Sequence, residues 1–364
     1  DLHSFPTRRS SDLFVIDGDT MSLFVPITKD AVHEVHKMKP SENLFSDATG
    51  KVMYQPSLEA AMGVYKLSMT GRNTSKSFRN PGEVLDAARK GTIKHTDVVK
   101  MGGKKTTAGR ILLSTALPEP MQKDMLFKLD NKLDAKKGID SLLTTVAKNY
   151  TSDYAETADK LKDLGNNAAF GIVPIPLPNS KVNTIVDPKK NMYIQTGAHT
   201  LGLDDFKTDT KTKKAILSPL QAAEKRIRAS SAPKAVQDKK IINMYTQAED
   251  KLRSMHEKST SEFNDNLYLM YQAGIKPSWN QYKQMKLAPG LMLDFKSQVI
   301  PAPVTKSYSE GVDVAGYWTQ MHGARRGTAM RVQETQGPGV MSKMLMQTMM
   351  DNEEIGRASC RERV

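Results

Sequence analysis

A helix-rich α+β fold follows from three features of the chain. Residues 121–164 and 216–288 carry apolar side chains at helical spacing with few breaks. The stretches around Thr20–Thr28 and Phe170–Leu177 are short, apolar and rich in β-favouring residues. The segment from Tyr308 to Asp351 reads as one long helix, roughly 60 Å if continuous at ~1.5 Å per residue.

In chain order, Thr20 to Thr28 alternates and reads as a strand. Asp30 to Met38 reads as a short helix capped by Asp30 or Thr28. His33 and His36 share a helical face, but HEVH is one residue short of the HExxH zinc motif, and two solvated histidines are the simpler reading. Asp47-Ala48-Thr49-Gly50 reads as a turn, with a helix from Glu59 to Leu67 beyond it. A further helix starts at Asn80-Pro81-Gly82-Glu83 and ends near Gly91. Met101 to Thr107 resembles a phosphate-binding loop but lacks the G-x-x-x-x-G-K-[ST] spacing, so a nucleotide P-loop is rejected.

Gly109-Arg110-Ile111-Leu112-Leu113 reads as a buried strand. The 121–164 stretch reads as an antiparallel helical pair stopped at Gly165-Asn166-Asn167. Residues 185–215 are polar and irregular and read as a candidate insertion, and Pro277 marks a loop within the helical 216–288 stretch. Gly311, Gly316, Gly323 and Gly327 interrupt the last segment, and Gly337-Pro338-Gly339 predicts a bend or break. On periodicity alone, two helices joined at that turn are preferred.

The two ends read as foreign. Written as codons, His3–Leu13 and Glu354–Val364 are reverse complements in one frame: His3 pairs with Val364, Phe5 with Glu362, Asp12 with Ile355. Residues 1–13 and 354–364 are therefore assigned to a translated sequencing adapter, and the rest to an internal fragment. The one cysteine, Cys360, lies in that segment, so the remainder offers neither disulfide framework nor thiolate metal site. The formal charge is +13. The C-terminal adapter carries three arginines against two glutamates and the N-terminal one balances, so a surplus of about twelve remains, which suits a polyanionic partner. No apolar run approaches membrane-span length.

Two segments carry candidate chemistry. In Asp17-Gly18-Asp19 the glycine lets both carboxylates converge on one hard cation, although Asp-Gly is also common in ordinary surface turns. Far downstream, His322-Gly323-Ala324-Arg325-Arg326-Gly327 lies in the long helical segment, with Arg331 and Lys343 adding phosphate-seeking charge.

With their neighbours, these segments resemble the largest-subunit (β′) family of multisubunit RNA polymerases. Asp17-Gly18-Asp19 matches the end of the family motif NADFDGD. Pro56-Ser57, Glu59, Gly63, Tyr65 and Leu67 match "PS.e...G.Y.L", and Thr106-Thr107-Ala108-Gly109-Arg110 matches "TT.GR". Residues 135–165 resemble its rim helices, Leu269 to Gly290 its F-loop region, and Ser309-Glu310-Gly311 with His322–Gly327 the start of its bridge helix.

The resemblance implies the end of a double-psi β-barrel with the catalytic Asp loop at 14–40 and a pore domain with rim helices at 41–180. It further implies a funnel-like region with F-loop at 181–300 and the bridge helix, opening the cleft domain, at 301–353. It implies DNA-templated RNA synthesis by Mg²⁺-dependent nucleotidyl transfer, with Asp17 and Asp19 as catalytic metal ligands and a second ion arriving with the triphosphate. Arg325, Arg326, Arg331, Thr335, Gln336 and Lys343 would meet nucleic acid. Implied partners are template DNA, RNA product, nucleoside triphosphates, a β-like subunit and other polymerase subunits, with no membrane. The implied location is the cytoplasm, that of a bacterial host if the gene is a phage's.

Departures accompany the match. Val15 stands where the family has its first aspartate, Ala273–Pro277 replaces Ser-Gly-Ala-Arg-Gly, and Gln336–Gly339 departs at the usual hinge; such divergence suggests a phage-like enzyme. The trigger loop would lie further downstream, so the fragment alone is expected to be inactive. The alternatives are a single-chain two-barrel polymerase and, if Val15 is native, a non-catalytic nucleic-acid-binding relative. A calcium loop fits poorly, because the later EF-hand ligands are missing.

Overall fold

The structure is a computed structural model that describes residues 25–37, 39–46, 49–175 and 192–349. Asp17 and Asp19, and most of the strand expected at 20–28, lie outside the described residues; Val25 to Ile27 form no strand. Helix α1 (Lys29–Lys37) begins where the Thr28 hydroxyl accepts from the Ala31 amide at 3.2 Å, as the cap predicted. His33 and His36 are exposed on it, and among the described residues no three His, Cys, Asp or Glu side chains converge as a metal site.

Helix α2 (Leu58–Ser68) is buried along nearly its whole length. Strand β1 (Asn73–Phe78) leads to α3 (Pro81–Arg89), where Pro81 opens the helix and the Asn80 side chain accepts from the Glu83 amide at 2.9 Å. The Glu83 carboxylate reaches back to the Arg79 amide at 2.8 Å. Strands β2 (Val98–Met101) and β3 (Lys104–Thr106) form a hairpin with β1 parallel to β2. Its turn is Gly102-Gly103, both at positive φ, so the glycines serve a tight reversal rather than a phosphate cradle.

Helix α4 (Ala108–Thr115) replaces the strand expected at 109–113. Every residue from Ala108 to Ser114 is buried, so the run lacks an exposed face and its period carries no signal. The Thr107 hydroxyl accepts from the Arg110 amide at 3.1 Å and starts the helix. Helices α5 (Glu119–Phe127), α6 (Gly138–Asn149) and α7 (Tyr154–Phe170) follow. Gly165 does not stop α7; the helix runs on to Phe170 and ends at Gly171, whose φ of 96° is left-handed.

The reason is packing. A Cβ on Gly165 would lie 2.1 Å from the Ala60 carbonyl oxygen, and one on Gly63 would lie 1.8 Å from the Gly165 carbonyl oxygen. The glycines let α2 and α7 cross with their backbones in contact. On the other side of α2, a Cβ on Gly109 would meet the Leu67 carbonyl oxygen at 2.2 Å. Val64, Leu67, Leu112, Leu113, Leu143, Val146 and Leu161 fill the core around this three-helix clasp.

Strands β4 (Ile172–Pro174) and β5 (Tyr193–Gln195) pair antiparallel, and a 3₁₀ turn covers Leu203–Phe206, so the described part of 185–215 is not wholly irregular. Helices α8 (Thr210–Arg228) and α9 (Lys234–Ser259) form the longest antiparallel pair, joined through Leu217, Ile241 and Tyr245. Helices α10 (Asn266–Gln272) and α11 (Trp279–Lys286) flank the predicted Pro277 loop. The hairpin β6 (Gly290–Leu293) and β7 (Val299–Val304) supports α12 (Val314–Met349). Among the described residues no helix is long and apolar enough to cross a membrane.

Two substitutions test the clasp. Gly165→Ala is expected to lower the unfolding free energy by about 3 kcal/mol, since the clash is with backbone. Gly327→Ala, with nothing within 4 Å of the added carbon, should stabilise by up to about 1 kcal/mol. Urea denaturation midpoints of the two variants, moving in opposite directions, are the check.

Candidate nucleic-acid interface

The six side chains expected to meet nucleic acid all lie on α12, which starts at Val314 rather than Tyr308 because Tyr308–Glu310 forms a 3₁₀ turn of its own. That turn closes with a capping box: the Ser307 hydroxyl accepts from the Glu310 amide at 3.3 Å, and Glu310 accepts from the Ser307 amide at 2.9 Å. Lys213 of α8 pairs with Glu310, and the Thr208 hydroxyl bonds those of Ser307 and Ser309. The Asp313 carboxylate then accepts from the Gly316 amide at 2.8 Å, capping α12 itself.

The helix is 36 residues long and passes through Gly337-Pro338-Gly339 without the expected break. Pro338 has no N–H for the Glu334 carbonyl, a cost of about 3 kcal/mol against alanine in a helix interior. Glu334 is exposed, so water can take that bond.

Each residue advances about 100° around the axis. Gly316, Gly323, Gly327 and Met330 therefore make one stripe, and this stripe faces the body. A Cβ on Gly316 would lie 3.1 Å from Val304 Cγ1, and one on Gly323 would lie 3.5 Å from Met292 Cε. A groove of 530 Å³ separates the middle of this stripe from α9, α11 and β6, lined among others by Glu249, Lys283 and Arg326. Lys283 of α11 and Glu249 of α9 pair on its body-side wall at 2.6 Å.

Arg325, Gln336 and Lys343 fall within about 20° of one another, on the side turned roughly 160° from the packed stripe. Thr335 and Arg331 lie about 80° and about 120° round from Arg325, both on one side of it, and both are exposed. Arg326 differs, being half-buried at the groove. Five of the six expected contacts thus lie free to meet a ligand, and one is turned to the body. Every residue from Arg331 to Thr348 is exposed, and the packed stripe runs on into exposed Met341 and Leu345.

A buried polar network that the sequence reading missed joins α9, α10 and α11. His256 of α9 is buried, with Nδ1 3.1 Å from Asp209 Oδ2 and Nε2 2.8 Å from the Tyr282 hydroxyl. Lys286 reaches Asp265 at 2.5 Å, and Tyr268, Tyr271, Trp279 and Tyr282 pack around the imidazole and one another. Burial pushes the His256 pKa below its ordinary value although Asp209 opposes it. Nδ1 faces Asp209, and Nε2 faces the Tyr282 oxygen, whose own proton is donated to Asp265 at 3.0 Å. His95, in the loop before β2, is also buried, and burial with the nearby Lys66 charge holds it at about 4.

Both histidines have folded pKa values below the unfolded one, so between those values the unfolded chain binds more protons. Their contribution is complete at neutral pH and is lost as pH falls below about 6.5. Unfolding free energy should drop on acidification from pH 7 to 5, by at most about 1.4 kcal/mol per unit for each histidine. His256→Gln and His95→Gln should each flatten that limb, measured by urea denaturation across the range.

Thr106-Thr107-Ala108-Gly109-Arg110, one of the matched motifs, is structural here. Arg110 is buried and donates to the carbonyls of Ser68 at 3.0 Å and Leu129 at 3.3 Å, and burial lowers it to about 10.

No family model matches the chain. Curated proteins named "DNA-directed RNA polymerase subunit beta'" are similar over almost all of it. The protein from Sulfurihydrogenibium sp. (strain YO3AOP1) is 26% identical over 344 residues, covering 92% of this chain and 21% of that protein. That of Shewanella loihica is 28% identical over 368 residues, covering 92% and 25%, and that of Campylobacter fetus subsp. fetus 27% over 349, covering 91% and 21%. The chain is thus similar to RNA polymerase β′ subunits along its length and spans a quarter or less of the length of these curated relatives.

Proposed function

We propose that the chain is part of the catalytic subunit of a DNA-directed RNA polymerase, running from the metal-binding loop to the bridge helix, and that α12 is the element that meets nucleic acid. The observation that carries this reading is α12 itself: a helix braced at its start by the β6–β7 hairpin, bearing HGARRG at the brace and a polar, basic stripe on the opposite side. Similarity to β′ subunits over 92% of the chain supports it. Residues 135–165, assigned to the rim helices, fall in α6 and α7 and are built into the core.

The side chains of α12 act on backbone and position rather than on bonds. Arg325 and Lys343 supply cationic donors for phosphate oxygens, and Gln336 supplies an amide between them. Thr335 donates its hydroxyl back to the Arg331 carbonyl at 2.6 Å, so its methyl group is the part free to lie against a base.

In donor chemistry, Asp17 and Asp19 fit a hard, oxygen-preferring ion such as Mg²⁺, while Val15 offers no oxygen, so the set is one carboxylate short of the family's three. Bound there, Mg²⁺ would lower the pKa of an RNA 3′-hydroxyl. The phage-like origin rests on the departures at Val15, Ala273–Pro277 and Gln336–Gly339.

Binding of a labelled RNA–DNA hybrid, followed by fluorescence anisotropy across a salt series, tests the interface. Arg325→Ala, Arg331→Ala and Lys343→Ala should each weaken binding and reduce the slope of log K against log salt by roughly one. Arg326→Ala should change the slope less. Equal slopes in all variants would remove α12 from the interface.

Catalysis has a separate test. The chain alone should give no template-dependent nucleotide incorporation, and incorporation by it would sink the requirement for a β-like partner. In the full-length subunit assembled with that partner, Asp17→Asn or Asp19→Asn should lower the rate roughly a thousandfold, the few kcal/mol that metal-held charge stabilisation contributes.

A further inference from the structure

A second concentration of charge lies on the far side of α2 from the core. A cavity of 250 Å³ opens between α2, the loop before β2, the segment after β5 and the start of α10. Lys66, His95 and His199 line it. Nε2 of His95 and Nε2 of His199 are both buried without a hydrogen-bond partner, and His95 as a residue is only 8% exposed. Orphaned buried nitrogens are rare in folded proteins and are costly. Both imidazoles border this one cavity, the nearest space from which a ligand could supply the missing acceptor.

The sign of the ligand follows from the surrounding charges. Lys66 donates to the Gly197 carbonyl, which leaves two N–H bonds free. Lys94 also lines the cavity. One carboxylate, Glu262, also lines the cavity, and it and the carboxylates nearby are already engaged. Glu262 takes the Tyr65 hydroxyl at 2.8 Å and Lys132 at 2.5 Å, Asp97 takes Arg72 and the Lys94 amide, and Asp205 takes the Gly202 amide. The basic groups repel one another as a result. Burial brings Lys66 down to about 8, and burial followed by the Lys66 charge lowers His199 as it does His95. A metal ion is disfavoured there, since Lys66 would repel it and, among the described residues, no third His, Cys, Asp or Glu joins the two imidazoles.

We propose that this cavity binds a small tetrahedral oxyanion of sulfate or phosphate type, held by Lys66 and by the Nε2–H groups of His95 and His199. The volume admits one such group, free or as the terminal phosphate of a nucleotide, and not a nucleic-acid strand. The inference is independent of the polymerase reading.

Sulfate is the informative probe because it does not titrate near neutral pH. Isothermal calorimetry of sodium sulfate into the chain at pH 7, 8 and 9 should show one site. Its affinity should be steady up to about pH 8 and then fall by up to about tenfold per unit, as unliganded Lys66 loses its proton. Lys66→Met should weaken binding at least about tenfold and abolish that fall, and Lys66→Arg should bind at all three pH values without it. Circular dichroism melting establishes that the variants fold, and the Arg variant keeps the test decisive if the Met variant does not. Inorganic phosphate should compete with sulfate, and ATP competing with the same Lys66 dependence would identify a nucleotide's terminal phosphate as the source. The proposal is overturned by absence of saturable sulfate binding or by binding indifferent to Lys66→Met. It is equally overturned by stoichiometric Zn²⁺ binding, lost in His95→Gln and His199→Gln, in place of sulfate binding.

Discussion

The rest of the molecule depends on how closely α2 is approached. Gly165 lets α7 touch it on one side and Gly109 lets α4 touch it on the other, each at a separation that excludes even one methyl group. Helix pairs with ordinary side chains between them stand 8–10 Å apart, so these glycines remove a layer of side chains. The buried C-terminal end of α2 then becomes a fixed point for more distant parts. Arg110 bonds the Ser68 carbonyl, the Ser68 hydroxyl accepts from the Leu133 amide at 2.9 Å, and the Tyr65 hydroxyl donates to Glu262. Through that last bond and the neighbouring Lys132–Glu262 pair, the first half of the chain is tied to the segment between α9 and α10.

The second half solves a different problem. Helices α8 to α11 are charged, and their apolar clusters are small: Leu217, Ile241, Tyr245 and Ala288 in one, Leu267, Tyr268 and Tyr282 in another. A buried polar network bridges the gap. Asp209 caps α8 and meets His256, while Asp265 caps α10 and meets Lys286. Each carboxylate thus joins a helix end to a neighbouring helix, and both elements must be in place before either charge is satisfied. A buried ion pair stabilises little against an apolar replacement, but breaking one leaves a buried charge and is costly. Such a network therefore enforces one arrangement of helices more than it adds to overall stability.

This division explains what was legible in the sequence. Asn80-Pro81-Gly82-Glu83 is a local signal, complete within four residues, and α3 starts there. The Thr28 cap and the Pro277 loop are of the same kind. The errors arise where a distant residue decides. Gly165 looks like a stop until Ala60 and Gly63 are seen against it, and Gly109–Leu113 looks like a strand because neighbours on all sides erase its helical period. Of the interface, residue identities were legible and orientation was not. Arg325 and Arg326 are adjacent in sequence, yet only the docked helix distinguishes the exposed one from the one at the groove. The orphaned imidazoles lie 104 positions apart, at His95 and His199, and no spacing rule joins them.

The long helix is the clearest case of context overriding local preference. Four glycines between Gly323 and Gly339 each cost up to about 1 kcal/mol against alanine, and Pro338 adds about 3. Support comes from the β6–β7 hairpin at its start, yet exposed Met341 and Leu345 continue the same packed stripe well beyond that support. That stripe follows one face of the helix from the hairpin to its last turns. Arg325, Gln336 and Lys343 lie across the helix from that face. A rod braced from behind at its start leaves its opposite side unobstructed along its length. The glycines on the packed side then lower the local cost of bending while the charged side keeps its register.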